Sequence, residues 1–305
     1  MQVRWKRTAE TLLSRAMLPN LARAWNRGRA VVLAYHNIVP DGEPIRGDRS
    51  LHLPRREFAR QLDSLQRTHD VVPLAALLDG RGPNGRPRAA ITFDDAYRGA
   101  VTCGAAEVAQ RGLPATILVA PGLLGGRPFW WDELANPRTG VLEDGIRRRG
   151  LEQFAGQGAE IRRWALAAGM TLQSLPAHAT AATEDDLQRI TAQPGITLAS
   201  HTWSHPNLQR LDPSTLEDEL GRPLAWLRTR FSQVVPWLAY PYGLTAAAVA
   251  RAVQAAGYDG ALLVSGGWLP RRGRQVRRHA IPRLNVPAGL SMEGFALRAA
   301  GLGLW

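Results

Sequence analysis

Short apolar runs alternate with longer amphipathic stretches along most of the chain. The first pattern is typical of buried strands, and the second of helices that pack one face on a core. The predicted strands are 31–35, 71–73, 89–93, 115–120, 196–200, 234–240, 261–264 and 280–284. The predicted helices are 54–69, 97–111, 213–230, 245–256 and 292–300. Because parallel strands need helical crossovers, this alternation predicts an α/β fold, a distorted, partly open (β/α) barrel.

Residues 122–195 interrupt this alternation. They contain the stretches PFWWDEL and IRRRGLEQF and a helix-like stretch over 160–168, but no obvious strand. We interpret them as a mainly helical insertion between two barrel units. The predicted organisation is an N-terminal segment, 1–28, followed by one α/β domain over 29–305 that contains this insertion. The chain is long enough for such a core.

Basic residues outnumber acidic residues by 38 to 26, which gives a formal net charge of +12. Lys6 is the only lysine, so arginine carries nearly all of the positive charge. This balance favours contact with anionic surfaces such as phospholipid, phosphate or acidic glycan. The sequence contains no nucleic-acid recognition motif, so we expect no nucleic-acid partner. Cys103 is the only cysteine, which excludes an intramolecular disulfide.

The N-terminal segment 1–28 has the pattern of a basic amphipathic helix with tryptophans. Its apolar side is formed by Trp5, Ala9, Leu12, Leu13, Ala16 and Met17. Such a helix suits either an anionic membrane surface or the surface of its own domain, and periodicity does not separate the two. The sequence shows no apolar run typical of a signal peptide or a transmembrane helix. We therefore expect a cytoplasmic protein, with peripheral contact at the inner face of the membrane as a further hypothesis.

Polar residues follow several predicted strands at the point where each strand ends. Asp94 and Asp95 follow one strand, His201 follows another, and Tyr242 and His36 follow two more. The carboxyl ends of parallel strands meet at one face of a barrel, where the chemistry of such folds is located. We therefore expect these side chains to lie close together.

The spacing of His201 and His205 indicates a metal site. The two residues are four apart, which on a helical turn places their Cβ atoms about 6 Å from each other on one face. Two imidazoles so placed can bind one divalent ion, and a carboxylate completes a three-ligand site with an open position for water. The histidine pair alone is weak evidence, but an aspartate pair at another strand end strengthens it.

The aspartate pair, Asp94 and Asp95, fits the same site. One carboxylate can bind the cation, which offsets the repulsion between the two, and the other remains beside the bound water as a base. A divalent ion lowers the pKa of its water from about 15.7 to about 7, and a positioned base adds a factor of about 10²–10⁴ in rate. The alternative is a helix N-cap followed by a turn acid, which leaves the histidines unexplained.

The motifs TFDD, SHTWSH and YPYG, in this order and each at a strand end, resemble those of the polysaccharide deacetylase family. This family is also called the NodB-homology or carbohydrate esterase family 4 fold. LAYHNIV near the start and PRLNV near the end are similar to the circularly permuted branch, which includes deacetylases of poly-N-acetylglucosamine. The resemblance covers roughly residues 30–300. FWWDEL also resembles bacterial members of this branch, but its role is open.

The resemblance implies a role for each site residue. It makes Asp95, His201 and His205 the metal ligands, with Zn²⁺ as the expected ion and Co²⁺, Ni²⁺ or Mn²⁺ as alternatives. It makes Asp94 the general base, the Tyr242 backbone N–H an oxyanion donor, and His36 the acid that protonates the departing amine. The alternative for His36 is a buried histidine bonded to backbone.

Two positions depart from the family pattern. Ala96 stands where glycine commonly follows the aspartate pair, and a positive φ there would strain the turn by about 1 kcal/mol. Ala239 stands where the family commonly has an arginine that pairs with the base. Arg283, in PRLNV, is our candidate to supply that charge and tune the base.

We predict a metal-dependent hydrolase that removes acetyl from N-acetylated sugars of a polysaccharide or a lipid-linked saccharide. The alternatives are an O-acetyl esterase on the same metal centre and a non-catalytic glycan-binding module. The other histidines are interpreted as surface or structural: His52, His69, His178 and His279. Trp130, Trp131 and Trp203 are either sugar platforms or packing residues.

Overall fold

The computed structural model describes residues 18–78, 84–270 and 276–302. In chain order, its strands are β1 (Ala30–Tyr35), β2 (Asn37–Val39), β3 (His52–Pro54), β4 (Asp70–Val71), β5 (Arg88–Phe93), β6 (Ala115–Val119), β7 (Ile196–Ser200), β8 (Val234–Ala239), β9 (Gly260–Gly266) and β10 (Ile281–Asn285). Seven of these strands form a ring of parallel pairs in the order β1, β5, β6, β7, β8, β9, β10 and back to β1. The predicted (β/α) barrel is confirmed.

The barrel is distorted where β5 meets β6. These strands pair only at Thr92 and Phe93, near the carboxyl end of β5. The amino end of β5 pairs instead with the short strand β4, through Arg88 and Ala89. The strands β5 and β6 therefore separate at the amino end of β5 and pair only near its carboxyl end.

The described helices are α1 (Leu18–Trp25), α2 (Arg55–Thr68), α3 (Ala105–Gln110), α4 (Trp130–Glu133), α5 (Asp144–Gln153), α6 (Gly158–Ala167), α7 (Glu184–Thr191), α8 (Pro213–Arg230), α9 (Ala247–Ala255) and α10 (Met292–Ala299). A π-helical turn, Ala100–Gly104, precedes α3. With the π-helical turn counted as part of the helix that contains α3, the predicted strands and helices match these elements within about three residues at each end. Methods of assigning helix ends themselves differ by about one or two residues. Helix α2 buries Phe58, Leu62 and Leu65, which periodicity places on one face.

Every barrel strand contributes to one buried apolar cluster, which we assign to the barrel interior. Its members from the seven strands are Ala30, Val32, Ala90, Leu118, Ala199, Trp237, Ala239, Leu262 and Ile281. The strands β1 and β5 are buried along their whole length, which explains their near-continuous apolar sequence. Toward the carboxyl ends the buried residues become polar, with Thr92 on β5 and Arg283 on β10. The fold therefore gathers polar groups at one end of a packed barrel.

The segment between β6 and β7 contains the helices α4 to α7. Two isolated antiparallel bridges, Pro128–Thr180 and Tyr97–Ala181, are its β pairings in the described residues. Helix α4 is fully buried, with Trp130 and Trp131 in the main apolar core. The two tryptophans therefore pack in the protein and are not an exposed platform.

The predicted amphipathic helix lies largely outside the described residues, because residues 1–17 are not described. The described part, α1, ends shortly before β1, and its Trp25 is 73% exposed. Half of the arginine-rich stretch 270–279, which its composition predicts to be an exposed loop, also lies outside the described residues, namely 271–275. Within the described ranges, no helix combines the length and apolar character needed to cross a bilayer.

Candidate metal centre and active site

A cavity of about 340 Å³ opens at the carboxyl ends of the barrel strands. It is lined by all six residues predicted at strand ends or as metal ligands: His36, Asp94, Asp95, His201, His205 and Tyr242. These come from the ends of β1, β5, β7 and β8, so the parallel barrel brings distant parts of the chain to one face. Arg283, the remaining candidate, is fully buried beside Asp94.

Three side chains converge on one point in this cavity. Asp95 Oδ1 lies 3.3 Å from His201 Nε2 and 3.2 Å from His205 Nε2. The two Nε2 atoms lie 3.2 Å from each other. All three residues are buried, and they form a group whose ligand atoms could hold a metal ion.

The position of the proton on His201 indicates what these three side chains can bind. Its Nδ1 donates to the carbonyl oxygen of Ala239 at 2.8 Å, so the neutral ring carries a lone pair on Nε2. That lone pair faces the carboxylate oxygen of Asp95, which accepts no hydrogen bond within the described residues. Buried electron-rich atoms in such contact repel each other unless a proton or a cation is shared between them.

The pKa directions in this cluster follow from the same contacts. Burial raises the pKa of Asp95, but His205 and His201 outweigh it, so the carboxyl stays well below its usual range. Burial lowers the pKa of His201, but Asp95, Asp94 and the carbonyl of Ala239 together more than offset burial, so this pKa is raised overall. Burial dominates at His205 and lowers its pKa. A proton on His201 therefore competes with a divalent ion for this cluster.

The spacing of the three atoms fits tetrahedral coordination. With bonds of about 2.0–2.2 Å and tetrahedral angles, ligand atoms lie about 3.3–3.6 Å apart. One observed separation, 3.3 Å, lies at the lower edge of that range, and the other two, both 3.2 Å, lie about 0.1 Å below it. The residues present therefore fit a small divalent ion with one oxygen and two imidazole ligands.

The loop that carries the two histidines is irregular, so the predicted helical turn over these residues is wrong. Thr202 has φ 65° and His205 has φ 60°. Torsions in this left-handed region interrupt a right-handed helix. The His205 N–H donates to Thr202 Oγ1 at 3.0 Å, which folds the loop back so that both imidazoles still reach Asp95.

Glu219, on α8, holds this loop in place and was not found from the sequence. Its Oε2 accepts from the backbone N–H groups of Trp203 and Ser204, each at 2.9 Å. Its Oε1 accepts from the Ser204 hydroxyl at 2.6 Å. A mostly buried carboxylate thus satisfies loop donors that a helix would have satisfied internally. An acidic residue within an amphipathic helix carries no sequence signal for this role.

Asp94 is held by Arg283. The Arg283 Nη1 and Nη2 atoms donate to the two carboxylate oxygens of Asp94 at 2.6 and 2.7 Å. Burial raises the pKa of Asp94, but the guanidinium outweighs burial, so the pKa lies below its ordinary value. Asp94 therefore forms a bidentate ion pair and does not cap a helix. Its partner Arg283 is the candidate predicted from the sequence to tune the base.

His36 lies beside the same carboxylate. Its Nε2 is 3.9 Å from Asp94 Oδ2, and its side chain is mostly buried at the cavity wall. This distance is too long for a direct hydrogen bond. The imidazole therefore faces the cavity near Asp94 and lies outside the ligand cluster.

Backbone strain is concentrated at the cavity. In the described part of the chain, six residues other than glycine have positive φ, and five of these lie at the site: Asp95, Ala96, Thr202, His205 and Tyr242. Ala96, with φ 50°, occupies the position where the family commonly has glycine. Such torsions persist only when surrounding contacts impose them, and they cluster at functional sites.

The remaining histidines and Trp203 have structural surroundings. His52 and His178 share Asn37 as a hydrogen-bond partner, and His69 bonds the carbonyl oxygen of Ala299. The ring of Trp203 is covered by the Arg222 guanidinium at 3.6 Å. This contact favours packing over a sugar platform for Trp203.

Several cavity residues were not predicted as site residues. They include Ser50, Leu51, Trp131, Arg147, Leu151 and Asn285. Five of these six come from the segments 40–51 and 122–195, which lack strand periodicity and so gave no signal for the barrel face. Arg147 donates to Asp48 Oδ2 at 2.9 Å and joins these two segments at the cavity mouth.

Comparison with known proteins places these observations in a family. The family model described as polysaccharide deacetylase matches residues 81–261. This range contains β5 to β8 and the aspartate and histidine motifs, and it omits β1 and β10, which complete the barrel. No match was found among curated protein sequences.

Several solved structures are similar to this chain. The Streptococcus pyogenes deacetylase PplD in complex with acetate is 14% identical, with 87% of this chain and 96% of that chain covered and a TM-score of 0.59. IcaB from Ammonifex degensii is 16% identical, with 90% and 98% covered and a TM-score of 0.58. A de-N-acetylase from Aggregatibacter actinomycetemcomitans is 14% identical, with 88% and 99% covered and a TM-score of 0.57. At these identities the similarity shows the fold alone.

Proposed function

Because the chain belongs to the polysaccharide deacetylase family, we propose that it is a metal-dependent hydrolase that removes acetyl groups from N-acetylated sugars of a polysaccharide or a lipid-linked saccharide. The observation that carries this proposal is the convergence of Asp95, His201 and His205 beside the ion-paired carboxylate of Asp94 in one cavity. The names of two similar structures support the proposal: one is a de-N-acetylase, and the other is a deacetylase in complex with acetate.

Asp95, His201 and His205 would hold the metal ion. Two imidazoles and one carboxylate suit Zn²⁺, and Co²⁺, Ni²⁺ or Mn²⁺ are the alternatives. When bound, a divalent ion makes water nucleophilic near neutral pH and polarises a carbonyl oxygen. Ala239 supports this role, because its carbonyl keeps the His201 proton on Nδ1 and leaves Nε2 free for the ion.

The other site residues move protons and stabilise charge in this proposal. Water oxygen bonds to the amide carbon, and the carbon–nitrogen bond breaks to give acetate and an amine. Asp94 accepts the proton from water, while Arg283 holds its carboxylate ionised and in one orientation. His36 gives a proton to the departing nitrogen. The Tyr242 N–H donates to the carbonyl oxygen as negative charge develops there.

The first test combines metal analysis of the purified protein with acetate release from paired N-acetyl and O-acetyl saccharides. We expect about one divalent ion per chain and acetate from N-acetylated sugars, with activity lost on chelation and restored by Zn²⁺ or Co²⁺. Acetate from the O-acetyl substrates alone would instead assign an esterase. Saccharide binding with no acetate from either substrate would assign a glycan-binding module.

We also propose that residues 1–28 bring the protein to an anionic membrane. The basic amphipathic pattern of this segment supports the proposal, as does the exposed Trp25 at the end of its described part. The segment joins the amino end of β1, whereas the cavity lies past the carboxyl end of β1. The six residues of β1 separate these two ends by about 20 Å. A membrane-bound enzyme would therefore act on sugars that extend away from the bilayer.

Liposome flotation tests the membrane proposal. The full chain is expected to float with vesicles of anionic phospholipid, and a chain lacking residues 1–28 is expected to stay at the bottom. Vesicles of zwitterionic lipid serve as the control and should bind more weakly, because the charge attraction is lost. Absence of binding for both chains would refute it, and so would equal binding for both.

A further inference from the structure

The two histidines of the metal centre are oriented in different ways. His201 donates from Nδ1 to the carbonyl oxygen of Ala239, which fixes the rotation of its ring. His205 is equally buried, yet within the described residues its Nδ1 has no hydrogen-bond partner. The orientation of His205 must therefore come from the side chains packed around its ring.

Three rings surround the His205 imidazole. The ring centroid of Trp131 lies 5.0 Å away, and those of Tyr242 and His201 lie 4.5 Å away. Tyr242 and His201 follow barrel strands, whereas Trp131 belongs to α4, in the segment between β6 and β7. Trp131 also contacts the Tyr242 ring edge-on, at 6.0 Å. The indole thus closes the side of His205 that the barrel leaves uncovered.

The Trp131 indole is itself held in one orientation. Its Nε1–H donates to the hydroxyl oxygen of Tyr97 at 2.7 Å, and that hydroxyl donates to Asp132 Oδ2 at 2.6 Å. Phe129 stacks on the indole, with centroids 4.9 Å apart and an interplanar angle of 14°. Rotation of Trp131 away from His205 would leave a buried N–H donor without its acceptor.

Asp132 connects this arrangement to the small sheet of β2 and β3. Its Oδ1 accepts from His52 Nε2 at 3.0 Å and from the Asp48 N–H at 2.8 Å. His52 Nδ1 accepts in turn from the Asn37 side-chain amide at 2.9 Å. Each bond has one consistent donor, with neutral His52 protonated on Nε2. The chain from Asn37 to Trp131 is therefore directional and fully buried.

The close approach of Gly47 shows how tightly Asp132 is enclosed. A Cβ at Gly47 would lie 2.4 Å from Asp132 Oδ1, and Gly47 has φ +88°. Both the space and the torsion require glycine there. The carboxylate has no room to move without disturbing the backbone around residue 47.

We propose that Trp131 is the positioning residue for the metal ligand His205, and that the chain Tyr97–Asp132–His52 holds it there. This assigns a role to the stretch FWWDEL, and it rests on the proposed metal centre. Side chains that orient a metal ligand typically change metal affinity about 10–100-fold when they are replaced. The contribution of Trp131 is made by ring packing, because none of the described residues forms the usual hydrogen bond with His205 Nδ1.

The test uses Trp131→Phe, Trp131→Leu and Tyr97→Phe in the full chain, with Trp164→Phe as the matched control. Trp164 lies in the same segment and packs on Phe154, away from the cavity. Zn²⁺ and Co²⁺ dissociation constants are measured by chelator competition, together with the visible spectrum of the Co²⁺-loaded protein and thermal unfolding without metal. We expect Trp131→Leu to weaken metal binding about 100-fold and to change the Co²⁺ spectrum. Trp131→Phe and Tyr97→Phe should weaken it about 10-fold.

A role limited to packing predicts a different result. It would lower the unfolding temperature of the metal-free protein while leaving metal affinity and the Co²⁺ spectrum unchanged, and that outcome in Trp131→Phe and Tyr97→Phe overturns the inference. Should Trp131→Leu fail to fold, these two conservative variants decide. A wild-type protein that binds neither Zn²⁺ nor Co²⁺ would overturn the metal centre itself, which is a separate result. Trp164→Phe is expected to match the wild type in metal binding.

Discussion

Asp94→Asn is expected to retain the metal ion and to lower turnover about 10²–10⁴-fold, the usual contribution of a positioned base. The substitution keeps the size of the side chain and an oxygen that can accept from Arg283. It removes the carboxylate that takes the proton from water. Asp95, which faces the two histidines, is unchanged, so the ligand set remains complete. Metal content and the rate of acetate release on an N-acetylated saccharide, measured on the same preparation, check this result.

Asp70→Asn is the matched control for Asp94→Asn. Asp70 is also a buried carboxylate and accepts hydrogen bonds from Asn84. It lies on β4 and pairs with Arg88 at the amino end of β5, so it is at the far end of the barrel from the cavity. This variant should keep its turnover. If Asp94→Asn loses the ion together with turnover, Asp94 is a ligand and the roles of the two aspartates are reversed.

Arg283→Met is expected to reduce the free energy of unfolding by about 3–5 kcal/mol, the typical cost of removing one partner of a buried ion pair. The side chains of Arg283 and Asp94 are 0% and 3% exposed. Without the guanidinium, the Asp94 carboxylate is left in a low-dielectric site without the partner that bonds both of its oxygens. Denaturant unfolding in the presence of a chelator measures the loss without a contribution from metal binding. A loss under about 1 kcal/mol would mean that the pair is not coupled as the geometry indicates.

The pH dependence of this variant should have the opposite sign to that of the wild type. In the wild type the folded pKa of Asp94 is lowered, so its stabilising contribution is present above the unfolded pKa of about 3.9 and is lost as pH falls through the folded value. In Arg283→Met we expect burial, now opposed only by His201 and His36, to raise the folded pKa of Asp94, so the variant loses stability as pH rises above about 4. The difference between the two proteins should therefore be largest near neutral pH. Arg283→Met combined with Asp94→Leu should recover most of the loss, because no unpaired charge remains.

The sequence was most informative where local rules govern the structure. Helix α8 begins and ends at the predicted residues. Its start is determined locally, because Asp212 accepts from the N–H groups of Ser214 and Thr215 and Pro213 occupies the first helical position. The buried strands were recognisable as apolar runs, since both of their faces are covered. Segments without periodicity, such as the loop with Ser50 and Leu51, gave no comparable signal, and their place at the cavity was missed.

The candidate site was predictable in its members but not in its geometry. Strand ends of a parallel barrel must share one face, so Asp94, Asp95, His201 and Tyr242 could be grouped from their positions alone. The helical turn assigned to the histidines was wrong, because Thr202 and His205 adopt torsions that only tertiary contacts impose. The hydrogen bonds from the loop to Glu219 are among those contacts.

The order of strands, the family motifs and the identity of the residues at the strand ends were set by the sequence alone, because these depend on local periodicity and on chain direction. The tertiary structure decided which side chains are in contact. Arg283 reaches Asp94 across 189 residues only because β10 pairs with β1 and β1 pairs with β5. Trp131 reaches His205 because Asp132 is anchored to β3 through His52. Contacts of this kind arise from barrel closure and strand register, and neither is encoded in any single stretch of the chain.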